Sequence, residues 1–310
     1  MVLGSGGARG LTHIGTIDEL VRNGFEIKAI SGSSMGALIG GIYAMGKLDV
    51  YTRWVTGLER RDVIRLLDLT FGRSGLIKGD RIIKILKSLI GDCNIEDLPI
   101  RFTAIATDVE DEREVWFNHG SLFDAVRASI SIPTVFTPHR YHDKYFLDGG
   151  LINPIPIAPT LEDETDLTVA VNLSGKPEKQ PEKKLENKPE NIANAPTTLT
   201  PLKNDNQRNN YQVRIAQFID GLKLRFDRQP EGALGVLDIV IKSMNIMENA
   251  LAETQLITYS PDIVIDIPRD ACNFFEFHRA QELIDIGREK TRSVLTHYLK
   301  QHEQVHRDNG

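Results

Sequence analysis

Stretches with apolar residues at helical spacing alternate along the chain with short runs of β-branched and apolar residues. Between Gly10 and Arg22, the residues Leu11, Ile14, Ile17, Leu20 and Val21 recur every three or four positions, which is one face of a helix. Met1-Val2-Leu3 before it reads as a strand stub, and Phe25 to Ile30 alternates as a second strand ending at Ser31-Gly32. Met35 to Ala44 is small and apolar throughout, which predicts a buried helix. Further helices are predicted around Val50–Thr56, Asp62–Leu69 and Asp80–Ile90, and strands at Arg101–Thr107, Val115–Phe117 and Leu167–Leu173. Late in the chain come a helix around Gly235–Leu256, a strand at Asp262–Ile267 and an amphipathic helix from Phe277 to about Tyr298. Strand and helix signals that alternate in this way predict an α/β layered fold with a mainly parallel sheet.

One segment breaks the pattern. Residues 175–210 hold five of the 14 prolines, seven asparagines and no aromatic residue. Such a stretch cannot bury enough apolar surface to offset the entropy of ordering it, so a disordered insertion is expected. The organisation expected is a catalytic core over 1–174, the insertion over 175–210, the remainder of the same domain over 211–300 with helical periodicity from near Tyr211, and a flexible tail over 301–310. Ala29 to Gly46 is long and uncharged, but its five glycines and three serines make it a poor lipid-facing helix. With no signal peptide at the start of the sequence given, a cytoplasmic, soluble chain is expected. The net charge of −6 argues against nucleic acid as partner, since phosphate neutralisation needs a basic face. Cys93 and Cys272 are too few for a disulfide framework or a zinc ribbon and read as reduced thiols.

Chemistry concentrates in three places. Gly32-Ser33-Ser34-Met35-Gly36 is a G-x-S-x-G between a strand and a small-residue helix. A serine on that sharp turn is held in strained backbone at the carboxyl end of the sheet, and Gly32 and Gly36 leave room for the elbow. The following helix aims its positive end at the same place. Gly4-Ser5-Gly6-Gly7-Ala8-Arg9-Gly10 is a second loop between a strand and a helix. It is not a P-loop, because no Gly-Lys-Ser/Thr follows, and its glycine spacing breaks the dinucleotide pattern from either start. Consecutive backbone N–H groups at a helix mouth suit an anion, and one βα unit before a serine elbow that anion is the oxygen of a tetrahedral acyl intermediate.

The serine needs a base. Phe146-Leu147-Asp148-Gly149-Gly150 ends an apolar run with an aspartate and two glycines that permit close approach. A carboxylate with an ordinary pKa of about 3.9 can take an alcohol proton only in a dry site, with the proton moving as the C–O bond forms. The competing assignment is a Ser–Asp–His triad. His278 and His297 lie on a predicted surface helix, His302 and His306 in a polar tail, and His13 in the helix after the glycine loop. None has a compelling setting, which favours a two-residue machine.

The glycine loop with its arginine, the G-x-S-x-G and the Asp-Gly-Gly, in that order, resemble the patatin-like phospholipase family, especially its bacterial single-domain members. Ala128-Ser129-Ile130-Ser131-Ile132-Pro133 and Asn153-Pro154-Ile155-Pro156 resemble further family segments, while Ser5 stands where the family's first loop glycine is found. The resemblance covers residues 1–174 strongly and 235–290 more loosely. It implies a three-layer sandwich with Ser34 as nucleophile and Asp148 as base. The amides of Gly6 and Gly7 would hold the oxyanion, Arg9 and Gly10 would shape that loop, and Gly149 and Gly150 would complete the aspartate turn. The implied reaction is hydrolysis of lipid carboxylic esters through an acyl-serine, with no cofactor and no metal. The lipid would be met transiently at a membrane or micelle surface, peripherally at the inner membrane face. A non-catalytic interaction protein on the same scaffold is the alternative, with 175–210 docking a partner.

Overall fold

The computed structural model describes residues 1–66, 68, 77–178 and 235–308. Two compact units divide the chain, Met1–Glu178 with Ser243–Gly310, and Lys179–Lys242. Of the second only residues 235–242 are described, where Gly235 leads into the first turns of a helix and its N–H donates to Asp238 Oδ2. Most of the predicted insertion, residues 179–210, and the periodicity from Tyr211 lie outside the described residues, while Gly175 itself ends a strand.

The strands are β1 (Val2–Leu3), β2 (Ala29–Ser33), β3 (Arg101–Asp108), β4 (Arg113–Phe117), β5 (His139–Tyr141), β6 (Lys144–Asp148), β7 (Val169–Gly175) and β8 (Ile263–Pro268). The helices are α1 (Thr12–Arg22), α2 (Met35–Ala44), α3 (Leu48–Thr56), α4 (Arg60–Leu66), α5 (Asp80–Ile90), α6 (Leu122–Ser129), α7 (Val236–Tyr259) and α8 (Ala280–Asp308). Among the described residues, the eight strands form one sheet in the order β5-β6-β3-β2-β1-β7-β8, with β4 also on β3. The chain starts at β1, adds β2 and β3 on one side, and later adds β7 and β8 on the other, all in parallel. β1 is therefore the point where strand order reverses, and the crevice beyond the carboxyl ends of such strands is where open α/β sheets bind ligands.

Alternate residues of the central strands feed two cores, as the period of two requires. Val2 and Ala170 pack with Ile155, Ile157 and Ala252, while Leu3 and Val171 join Leu11, Ile14, Ile39 and Leu283 on the other face. Helices thus flank the sheet, as the α/β pattern predicts. α8 crosses α1 at a pair of glycines: a side chain at Gly15 would strike Ile284 O, and one at Gly287 would strike Thr12 O.

The structure differs from the sequence expectation at several points. The second strand covers Ala29–Ser33 rather than Phe25–Ile30, because its partners reach only from Ala29, opposite Arg101, to Ser33, opposite Ile105. The hairpin of β5 with β6 and the helix α6 were not anticipated. α8 begins after a 3-10 turn at Phe277–Arg279 and runs to Asp308, into the stretch expected as a tail.

Candidate active site

One edge of β3 is occupied by β4 over Ala104–Asp108. The other edge is shared: β2 pairs in parallel as far as Ser33 opposite Ile105, and β6 arrives antiparallel with Asp148 opposite Ala106. The carboxyl ends of β2 and β6 therefore meet head to head on successive residues of one strand. That register, invisible in either segment alone, brings residues 34 and 148 together.

Ser34 follows β2 at φ 55° and ψ −121°, a conformation that a non-glycine residue rarely adopts and that costs about 1–3 kcal/mol. It is the N-cap of α2, yet its hydroxyl does not cap the helix; Ser34 Oγ donates to Asp148 Oδ2 at 2.6 Å. Ser34 N–H donates to Ser129 Oγ at 2.9 Å, so the elbow is held from α6. Gly36 is required by close approach, since a Cβ there would lie 2.0 Å from Leu3 O, and Gly32 packs directly on Gly36.

Asp148 is oriented on every side. Its N–H donates to Ser131 O at 3.0 Å, its carbonyl accepts from Thr107 Oγ1 at 2.8 Å, and its Oδ1 accepts from Gly150 N–H at 2.7 Å. Gly149 sits against Ser33 Oγ and Ile105 O with no room for a side chain. Oδ2 is left for the serine. Burial pushes the carboxyl up from 3.8 to about 7, against the opposing hydrogen bonds from Ser34 and Gly150.

The first glycine loop leaves β1, whose Leu3 lies beside Gly32 of β2, so the loop and the elbow depart from neighbouring strand ends. Its peptides are pinned one by one. His13 Nε2 lies 2.9 Å from Gly4 O, Ser5 N–H donates to Pro154 O and Ala8 N–H to Phe274 O. Arg9 is buried, with Nε donating to Gly6 O at 3.2 Å and Nη1 to Arg269 O at 2.8 Å. In a trans peptide the carbonyl and the next N–H point opposite ways, so the bond to Gly6 O aims Gly7 N–H away from Arg9. Among the described residues the N–H groups of Gly6 and Gly7 find no acceptor. Gly7 has φ 57°, and a side chain there would collide with Phe274; Gly10 abuts Met35, the residue after Ser34.

The structure thus brings Ser34, Asp148, Gly149 and Gly150 into direct contact and sets the loop of Gly6, Gly7, Arg9 and Gly10 beside them. Among the described residues no histidine bonds to Ser34 or Asp148. Burial pushes His13 down to about 4, which makes it a neutral support of the loop carbonyl, and His278 and His297 are exposed. The roles of Ser129 and Ser131, named above only as part of a family-like segment, and of Glu248 escaped sequence reasoning. Ser129 and Ser131 hold the elbow and the aspartate, and Glu248 on α7 is buried within reach of the Ser5 hydroxyl. The signal for Glu248 was available: Met244, Glu248 and Ala252 form the buried stripe of the helix at intervals of four.

Residues 1–161 match the family model described as patatin-like phospholipase. The chain belongs to that family. It is 34% identical to the uncharacterized NTE family protein Mb1092c of Mycobacterium bovis over 95% of this chain and 90% of the relative, and equally to Rv1063c of Mycobacterium tuberculosis. It is 27% identical to Lysophospholipase NTE1 of Scheffersomyces stipitis over 58% of this chain but 12% of that protein. The structure of VipD from Legionella pneumophila matches 94% of this chain and 66% of its own, at 13% identity and a TM-score of 0.46. No described helix is long and apolar enough to cross a membrane, and among the described residues no group of three or more His, Cys, Asp or Glu side chains could hold a metal ion.

Proposed function

We propose that this member of the patatin-like phospholipase family is a serine acyl hydrolase that cleaves carboxylic esters of lipids, of phospholipase A or lysophospholipase type, through a Ser34–Asp148 dyad. The observation that carries the proposal is the 2.6 Å hydrogen bond from Ser34 Oγ, on strained backbone, to a buried carboxyl whose other oxygen is tied to an amide. Family membership and a relative called a lysophospholipase favour lipid esters as substrate.

In the acylation step the Ser34 proton passes to Asp148 Oδ2 as Oγ bonds the ester carbon, and the carbonyl electron pair moves onto oxygen. The N–H groups of Gly6 and Gly7 hold that oxyanion, a donor pair whose members are worth about 3–4 kcal/mol each in such sites. Collapse breaks the C–O bond, and the leaving alcohol takes the proton from Asp148. Water then attacks the acyl-serine, gives its proton to Asp148, and the second collapse returns that proton to Ser34. A carboxyl near 7 is a far better acceptor than one at 3.8, which answers the weakness of aspartate as a base. The chain meets its lipid transiently at a membrane or micelle surface.

Ser34→Ala should lower hydrolysis of p-nitrophenyl butyrate and of lysophospholipid micelles by about 10⁴-fold or more and abolish labelling by a fluorophosphonate. Wild-type rates in that variant would discard the assignment. Profiling wild type against Ser34→Ala on lysophospholipids, diacyl phospholipids and monoacylglycerols would then name the preferred ester.

A further inference from the structure

A second carboxyl is buried beside the dyad and is not used by the steps above. Glu248 is 7% exposed and projects from the buried stripe of α7. It lies between the two loops of the site. The Ser5 hydroxyl is its hydrogen-bonding neighbour, and a Cβ built on Gly150 would meet Ser5 Oγ at 2.5 Å and Glu248 Oε1 at 2.8 Å. Two turns further along α7, Gln255 accepts from Ile155 N–H at 3.2 Å and donates to Asn153 Oδ1 at 2.8 Å, so this face of the helix grips the segment that follows Asp-Gly-Gly.

The charged groups that bear on Glu248 come from two other elements. Asp148 repels its ionised form, and Arg9 attracts it, though the Arg9 guanidinium is already bonded to the carbonyls of Gly6 and Arg269. Arg9 in turn feels Cys272 and Arg269. Two carboxylates sharing one dry site with a single, already engaged cation do not both ionise readily.

We propose that Glu248 is a positioning residue of the Ser34–Asp148 site, joining the first glycine loop to the Asp-Gly-Gly turn and keeping its proton so that Asp148 is the only carboxylate charge there. The proposal rests on the hydrolase reading of that site. Its consequence is an upper pH boundary. Burial, then the Asp148 charge, push Glu248 up to about 8, against Arg9 and Ser5. Above that pH an ionised Glu248 places a second negative charge beside the amides that must receive an oxyanion, and turnover declines.

The test is the pH profile of kcat/KM on p-nitrophenyl butyrate, with fluorophosphonate labelling in parallel, for wild type, Glu248→Gln, Ser5→Ala and Ser34→Ala. Wild type should decline above about pH 8, whereas Glu248→Gln should hold its rate through that range. Ser5→Ala, which removes the bond that favours the charged form, should move the decline upward by about half to one pH unit. An effect on folding alone would lower rates without changing the shape of the profile. Identical alkaline limbs in wild type and Glu248→Gln, with Ser34→Ala inactive, overturn the role of Glu248 and leave the dyad intact. An active Ser34→Ala overturns the dyad itself. Should Glu248→Gln fail to fold, a decline that stays put or moves down in Ser5→Ala overturns the proposal on its own.

Discussion

Asp108 and Asp148 stand two register positions apart on the paired strands β3 and β6, both sealed from solvent, and they hold their charge in opposite ways. Burial pushes Asp108 upward, but Lys144 Nζ at 2.6 Å and the N–H groups of Asp111 and Glu110 outweigh it and keep the carboxyl below its ordinary 3.8. Among the described residues Asp148 has no such cation: a hydroxyl and an amide are its partners, burial wins, and the group rises to about 7. The same residue type is a tie near the surface in one place, covered by the partly exposed Lys144, and in the other lies deep in the fold and keeps its proton to about pH 7. Burial supplies the cost of charge in both, and the neighbours decide whether that cost is cancelled or left standing.

The largest effect is expected for Asp148→Asn. Turnover should fall by about 10⁴-fold, and the fold should gain. The folded state holds the Asp148 proton more tightly than the unfolded chain, so ionising it costs stability. The Tm advantage of Asp148→Asn should therefore appear above 3.8, grow until about pH 7 and then level off. A destabilised Asp148→Asn at pH 8 would contradict the unpaired charge. Next in size, kcat/KM of the wild type should fall as pH drops through about 7, because Asp148, as the proposed base, would have to be ionised to take the serine proton. A rate level down to pH 5 would place the base elsewhere. The smallest effect is expected at the other aspartate. Lys144→Met should lower Tm at neutral pH while leaving turnover nearly unchanged. Asp108 has a depressed value in the fold, so its tie to Lys144 is fully present above 3.8 and lost as pH falls through the folded value. The Tm gap between the two proteins should close in acid, and a gap that persists there would mean Lys144 acts through packing.

Much of the site was legible because its parts are local. A glycine loop after a strand, a serine at a strand-to-helix elbow and an aspartate before two glycines each carry their meaning within five to seven residues. Met35 to Ala44 formed the predicted helix to the residue, and its glycines let it lie close on the sheet: a Cβ at Gly36 would meet Leu3 O, and one at Gly40 would meet Ile30 and Leu3. Phe25–Lys28 misled for the same reason that local pattern usually succeeds: it alternates like a strand, but no neighbour extends far enough to pair with it. Arg9 was expected to shape the glycine loop, but that it is buried and bonded to the carbonyls of Gly6 and Arg269 is seen only in the tertiary structure.

What the sequence determined by itself was therefore the chemistry available: a hydroxyl at 34, a carboxyl at 148, a glycine-rich loop able to present backbone amides, and an alternation that predicts a layered α/β fold. What only the tertiary structure decided was convergence and charge. β2 and β6 meet on one edge of β3, α7 delivers Glu248 from a hundred residues beyond Asp148, and Lys144 bonded to Asp108 sets that carboxyl's proton affinity apart from that of Asp148. Strand register and burial are sums over residues distant in the chain, and no short window of sequence contains those sums.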